Sequence, residues 1–157
     1  MILTTHAVTG AALATIFPNQ PVVGFLAAFA SHFVLDAIPH WDYPIATASL
    51  KPEVSGKLKF EKSLAVDAVR IGSDFFLGLL LAVSFFAPVV SLSFALLGAA
   101  GGLLPDFLQF AYTRFPREPF SSLQRFHTRI HAKKKLAMSA GIAVQVLIVL
   151  VLIFSLG

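Results

Sequence analysis

From Leu136 to Leu156 the chain carries no charged residue and is almost purely aliphatic. A run of that length and character is read as a helix crossing the hydrocarbon core of a bilayer. Four further apolar stretches precede it, at about Thr4 to Phe17, Val22 to Ile38, Ser63 to Ala87 and Ser91 to Tyr112. Composition agrees: 57% of the 157 residues are hydrophobic and 13% are charged, about half the charged fraction of a soluble domain. The predicted fold is all-α, a polytopic membrane helical bundle of about five segments forming one membrane-embedded domain over residues 1–157.

The breaks follow local chemistry. Pro18-Asn19-Gln20-Pro21 is a turn, Pro39 ends the second segment and Pro88 the third. The first segment spans only about 20 Å against a hydrocarbon core of about 30 Å. It tilts little, thins the bilayer, or pairs with the second segment as a re-entrant hairpin. Two basic connections remain, 42–62 with Lys51, Lys57, Lys59 and Lys62, and 113–135 with Arg114, Arg117, Arg125, Arg129 and Lys133-Lys134-Lys135. Five segments put both on the N-terminal side, which positive-inside bias assigns to the cytoplasm, with the C-terminus opposite. The expected location is the inner membrane of the cell. The net charge of +4 is accounted for by topology and lipid headgroups, so no nucleic-acid partner is expected. The N-terminus has no Lys or Arg before its apolar stretch, and no cleavable signal peptide is expected.

Candidate ligands gather on that side. Ser31 to Asp42 reads S-H-F-V-L-D-A-I-P-H-W-D and places His32, Asp36 and His40 four residues apart. On a helix such positions share one face, and imidazole with carboxylate makes a divalent-metal half-site. Ionisable groups in an apolar segment are expensive and mark function. His6 opens the first segment, Asp67 the third, Asp106 lies near the end of the fourth, and His127 and His131 sit in the second basic connection. His32, Asp67 and Asp106 are each roughly 8–9 Å from their segment's cytoplasmic end. Small residues line up with them: Gly10 and Ala14 after His6, Gly24 and Ala28 before His32, Gly98 and Gly102 before Asp106. With no cysteine in the chain, any metal is held by His, Asp and Glu.

Plainer roles compete at each position. His6 can be interfacial. Asp67 and Asp74 can neutralise Arg70, with Arg70–Asp74 as a buried ion pair. Asp106 can cap a helix break at Pro105. His127 and His131 can belong to an interfacial amphipathic helix started by the capping-box pattern Ser121-x-x-Gln124. Trp41 and Tyr43 fit an aromatic belt.

Thr5-His6-x3-Gly10 and Gly102-Leu103-Leu104-Pro105-Asp106 resemble the T-H-x3-G and L-P-D signatures of inner-membrane metal-dependent hydrolases. His32-x3-Asp36-x2-Pro39-His40 is similar to the H-x3-D…P-x-H signature of zinc-dependent phospholipases C, a helical fold. The resemblance implies metal roles for His6, His32, Asp36, His40 and Asp106, with His127 and His131 where a late histidine pair is expected. The chain departs from these patterns at Leu108, where the hydrolases carry a second acid, and has no H-R-G-x-T-H-S element. In the phospholipase signature the last histidine lies two residues further from the aspartate than His40 does from Asp36.

The expected function is that of a divalent-metal hydrolase, with zinc as the metal in one or two ions, cleaving a lipid-like phosphoester at the cytoplasmic face. His32, Asp36, Asp106 and His6 form the first expected metal set. Asp36 bridges to a second ion on His40, His127 and His131. Asp67 is the expected partner carboxylate or general base, and Arg125 and Arg129 hold an anionic headgroup. Two alternatives stand beside this reading: a metal-ion or proton transporter using Asp67, Arg70 and Asp74, and a non-catalytic protein stapled by its metal.

Overall fold

The computed structural model describes residues 1–45 and 62–157. Among these are six α-helices and no strand: α1 (Leu3–Ile16), α2 (Pro21–Ala37), α3 (Lys62–Phe86), α4 (Leu92–Arg114), α5 (Phe120–Ile130) and α6 (Met138–Leu156). Lys51, Lys57 and Lys59 of the first basic connection lie outside the described residues.

The helix limits follow from sequence chemistry. Asn19 in the α1–α2 turn adopts φ 67°, a left-handed conformation that Asn tolerates. Pro21 occupies the first turn of α2, where a missing N–H breaks no helical bond. Ser91 Oγ caps α4 by accepting the Phe94 N–H at 3.2 Å. Pro105 does not break α4, which continues to Arg114. The expected capping box of α5 is not what starts that helix. The Glu118 carboxylate does so, accepting the Ser122 N–H at 3.1 Å and its hydroxyl at 2.6 Å, and the Arg125 guanidinium adds a bond at 2.8 Å. These partners hold the fully exposed Glu118 carboxyl below its ordinary range.

α3, α4 and α6 are long and apolar enough to cross a membrane, and they present Phe76, Leu80, Phe107, Phe110, Leu147 and Phe154 outward. They mark a membrane protein. α1 and α2 are shorter apolar helices, so the expected five segments comprise three of spanning length and two that fall short. α1 is buried along ten of its fourteen residues, packed among α2, α3, α4 and α6. Its backbone is covered by protein and need not match the bilayer.

Glycine makes that burial feasible. A methyl at Gly10 would overlap the Gly98 carbonyl, and one at Gly102 the His6 carbonyl, so α1 and α4 touch backbone to backbone. Gly78 of α3 meets α1 at Thr4. Asp74, one turn before Gly78 on α3, accepts the Leu3 and Thr4 N–H groups at 2.7 and 3.0 Å and the Thr4 hydroxyl at 2.6 Å. It thereby caps α1 from another helix.

That role corrects the expected Arg70–Asp74 pair. Arg70 is half exposed, with Asp67 at 4.0 Å and the Pro44 carbonyl at 3.3 Å. Tyr43 likewise does not serve as a free belt residue, because its hydroxyl donates to Asp74 at 3.1 Å. Burial, followed by the Asp74 charge, pushes its phenol pKa up. On α6, Gln145 accepts the Ile2 N–H at 2.9 Å and donates to the Trp41 and Gly141 carbonyls at 2.9 and 3.1 Å. This one amide ties α6 to the ends of α1 and α2.

Candidate metal centre

Asp36 stands on the last turn of α2 with its side chain buried. Five nitrogens surround its carboxylate. Oδ1 has the Met1 amino nitrogen at 2.7 Å, His6 Nε2 at 3.2 Å and His40 Nε2 at 4.0 Å. Oδ2 has His127 Nε2 at 2.7 Å and His32 Nε2 at 3.2 Å. They come from across the chain: the residue at position 1 contributes its amino group, α1 His6, α2 His32, the segment after α2 His40, and α5 His127.

Backbone bonds set this convergence. The Asp36 carbonyl, orphaned at the end of α2, accepts the Ala132 N–H at 2.7 Å, and the His40 carbonyl accepts that of Leu136 at 3.1 Å. The segment after α5 is thereby docked on the end of α2, bringing the His131 ring to 4.9 Å from that of His40. His6 stacks on His32 with ring centroids 3.8 Å apart. His40 is beyond the helix, since α2 ends at Ala37. It reaches Asp36 through an extended segment and not through the four-residue helical stack expected of it.

The ring nitrogens turned away from the centre fix the tautomers. His32 Nδ1 donates to the Gly102 carbonyl at 2.8 Å, His40 Nδ1 to that of Ile38 at 2.7 Å, and His131 Nδ1 to that of Ala132 at 3.3 Å. A neutral imidazole with its proton on Nδ1 has its lone pair on Nε2. The Nε2 atoms of His32 and His40 are buried without a hydrogen bond, and each is turned toward carboxylate oxygens, while at His6 neither ring nitrogen has one. Lone pair facing carboxylate is repulsive unless a cation lies between them. Nδ1–H on a carbonyl with Nε2 on a metal is the arrangement that orients metal-ligating histidines.

Two groups have ligand atoms that all lie within 4.8 Å of one another: His32, Asp36, Asp106 and His127, and Asp36, His40 and His131. These residues can hold a metal ion. Asp36 belongs to both. His127 sits with the first group, beside Asp106, whose Oδ1 is 3.7 Å from His32 Nε2. His6 adjoins Asp36 from the α1 side but belongs to neither group, and neither does Asp67. Asp106 and His131 are 27% and 28% exposed at their side chains while His32, Asp36 and His127 are buried, so the centre opens on its Asp106 and His131 sides.

Sequence reasoning missed Asp42. Its Oδ1 is 3.0 Å from His40 Nε2 and 3.1 Å from the Met1 amino nitrogen, and its Oδ2 is 3.1 Å from Lys135 Nζ. Burial favours the neutral acid, but the adjacent Met1 amino group and Lys135 hold the carboxyl well below its usual range. Burial also pushes His131 down, toward the neutral ring a metal needs. The signal for Asp42 was present, two residues after His40, but it follows no helical period.

Arg125 and Arg129 do not touch the centre. They line an open cavity of about 750 Å³ with Tyr112, Gln124, Thr128 and Lys133, on the same short helix as His127. Comparison of the chain with family models, curated proteins and solved structures returned no match.

Proposed function

We propose that the protein is a membrane-bound, divalent-metal-dependent hydrolase that cleaves a phosphoester at the cytoplasmic face of the inner membrane. The observation that carries this reading is the pair of ligand groups sharing Asp36, set beside a basic cavity on α5. His32, Asp36, Asp106 and His127 would hold one ion, and Asp36, His40 and His131 a second. An imidazole-rich set with oxygen donors suits zinc. A divalent ion held there would supply Lewis acidity for hydrolysis.

The chain's own residues do the rest. His6 stacks on His32 and helps keep that ring in place. Arg129 would hold an anionic group by the planar donor geometry that guanidinium offers to phosphate, with Arg125 beside it sharing its charge with Glu118. The Lys and Arg bias of the connections supports the cytoplasmic orientation. Membrane lipid is the natural neighbour of the cavity and lipid-like phosphoesters the natural substrates. Asp74, on which a transport pathway would depend, is engaged by the first turn of α1, so nothing favours that alternative.

The test is hydrolysis by metal-loaded protein in lipid nanodiscs, across water-soluble phosphomonoesters, phosphodiesters and phospholipids. Turnover by wild type, its loss in Asp36→Asn, and a raised KM in Arg129→Gln are expected. A folded, metal-loaded wild type that cleaves none of these classes sinks the hydrolase reading and leaves a metal-stapled, non-catalytic protein.

A further inference from the structure

We infer that Asp42 completes the second group, giving a distinct divalent-cation site of Asp36, His40, Asp42 and His131 that loads by displacing ammonium groups. This rests on the reading of the centre as a metal site and deepens it. Asp42 Oδ1 and His40 Nε2 are 3.0 Å apart, and both are buried without a hydrogen bond. With its Nδ1 proton on the Ile38 carbonyl, a neutral His40 offers Asp42 only a lone pair. His131 Nε2 approaches the other oxygen at 3.9 Å. Asp42 lies at the edge of the mutually close group of Asp36, His40 and His131, and drawing it in would make a four-donor set of two imidazoles and two carboxylates.

The site already attracts positive charge. The Met1 amino nitrogen lies 2.7 Å from Asp36 and 3.1 Å from Asp42, and Lys135 Nζ lies 3.1 Å from Asp42. A divalent ion entering here exchanges with these cations and does not enter a neutral space. The second group has two partly exposed side chains, Asp42 and His131 at 23% and 28%, against one in the first group, Asp106 at 27%. The second ion is therefore the weaker and faster exchanging of the two. Lys135 is a built-in competitor for it.

The experiment is a zinc titration of the full chain in detergent against a chromophoric chelator, with bound metal counted after dialysis and folding followed by circular dichroism. Wild type binds two ions in separable steps. Asp42→Asn and, independently, His131→Gln keep the tight ion and lose the weak one. Lys135→Met keeps both and tightens the weak one by about 2- to 5-fold, the span of a surface ion pair. A single ion in wild type overturns this inference and leaves a one-metal hydrolase standing. Two ions in Asp42→Asn, or loss of both ions from folded Asp42→Asn and His131→Gln, overturns it as well. An unchanged weak step in Lys135→Met overturns the exchange. No ion in folded wild type removes the metal reading itself.

Discussion

Replacing Gly102 by alanine tests the link between packing and the metal centre, because one residue serves both. The added methyl would overlap the His6 carbonyl, and would lie 3.1 Å from the His6 carbonyl carbon and 3.4 Å from Gly10 Cα. All three are backbone atoms of a buried helix, so none can swing aside as a side chain would. α1 and α4 must part. Overpacking costs about 1–3 kcal/mol, and backbone on both sides puts this case at the upper end. Alanine returns about 0.5–1 kcal/mol of helix preference. The net is a loss of about 2 kcal/mol, roughly a thirtyfold change in the folded-to-unfolded ratio.

The same movement pulls the Gly102 carbonyl from His32 Nδ1, now at 2.8 Å, and misaims Nε2. Loss of such an orienting bond lowers metal affinity by about 10- to 100-fold. Denaturation in mixed micelles reads the first effect, and chelator competition on the still-folded protein reads the second. Gly72→Ala is the control, since a methyl there meets nothing within 4 Å. It should raise stability by up to about 1 kcal/mol and leave metal affinity alone. If Gly102→Ala matches wild type in both assays, the backbone contact of α1 with α4 does not position His32, and the reasoning fails.

Other perturbations separate support from ligation. Asp74→Asn weakens the cap on α1 and should cost about 1–2 kcal/mol in the same denaturation assay, with the metal count unchanged. Gln145→Leu strands the Ile2 N–H and the Trp41 carbonyl. It should cost about 1–3 kcal/mol and speed hydrogen exchange at the α6 N-terminus. Glu118 has a depressed folded-state pKa, so its support of α5 is present above its ordinary value of 4.5 and is lost as pH falls through the folded value. Amide protection across Phe120–Ile130 should therefore decline on acidification, and Glu118→Gln should remove that pH dependence without changing the neutral-pH fold.

Long apolar runs, proline and the small-residue stripes made the helices and their contacts legible, because each acts locally or with helical period. His32 and Asp36 were legible for the same reason. His40 was found by a spacing that holds only to Ala37, since the extended segment beyond happens to return its ring to Asp36. Asp42 has no period to reveal it, and its role depends on the α5–α6 connection folding back over α2. The grouping of His127 with Asp106 was likewise out of reach, because sequence places α5 in a connection but says nothing of its docking direction. Asp74 was read as the partner of a cation on its own helix. The nearer claim came from the unpaired N–H groups of α1, which no local pattern announces. Gln145 was concealed by the uniform apolarity around it, although a lone amide in such a run needs partners.

The most direct test of the centre is metal content, measured by elemental analysis on protein purified without added metal and dialysed, in wild type and in Asp36→Asn. Because Asp36 belongs to both ligand groups, wild type should retain divalent metal at one to two ions per chain and Asp36→Asn should retain none. A wild type that is folded, metal-free and indifferent to added zinc or chelator would contradict the account.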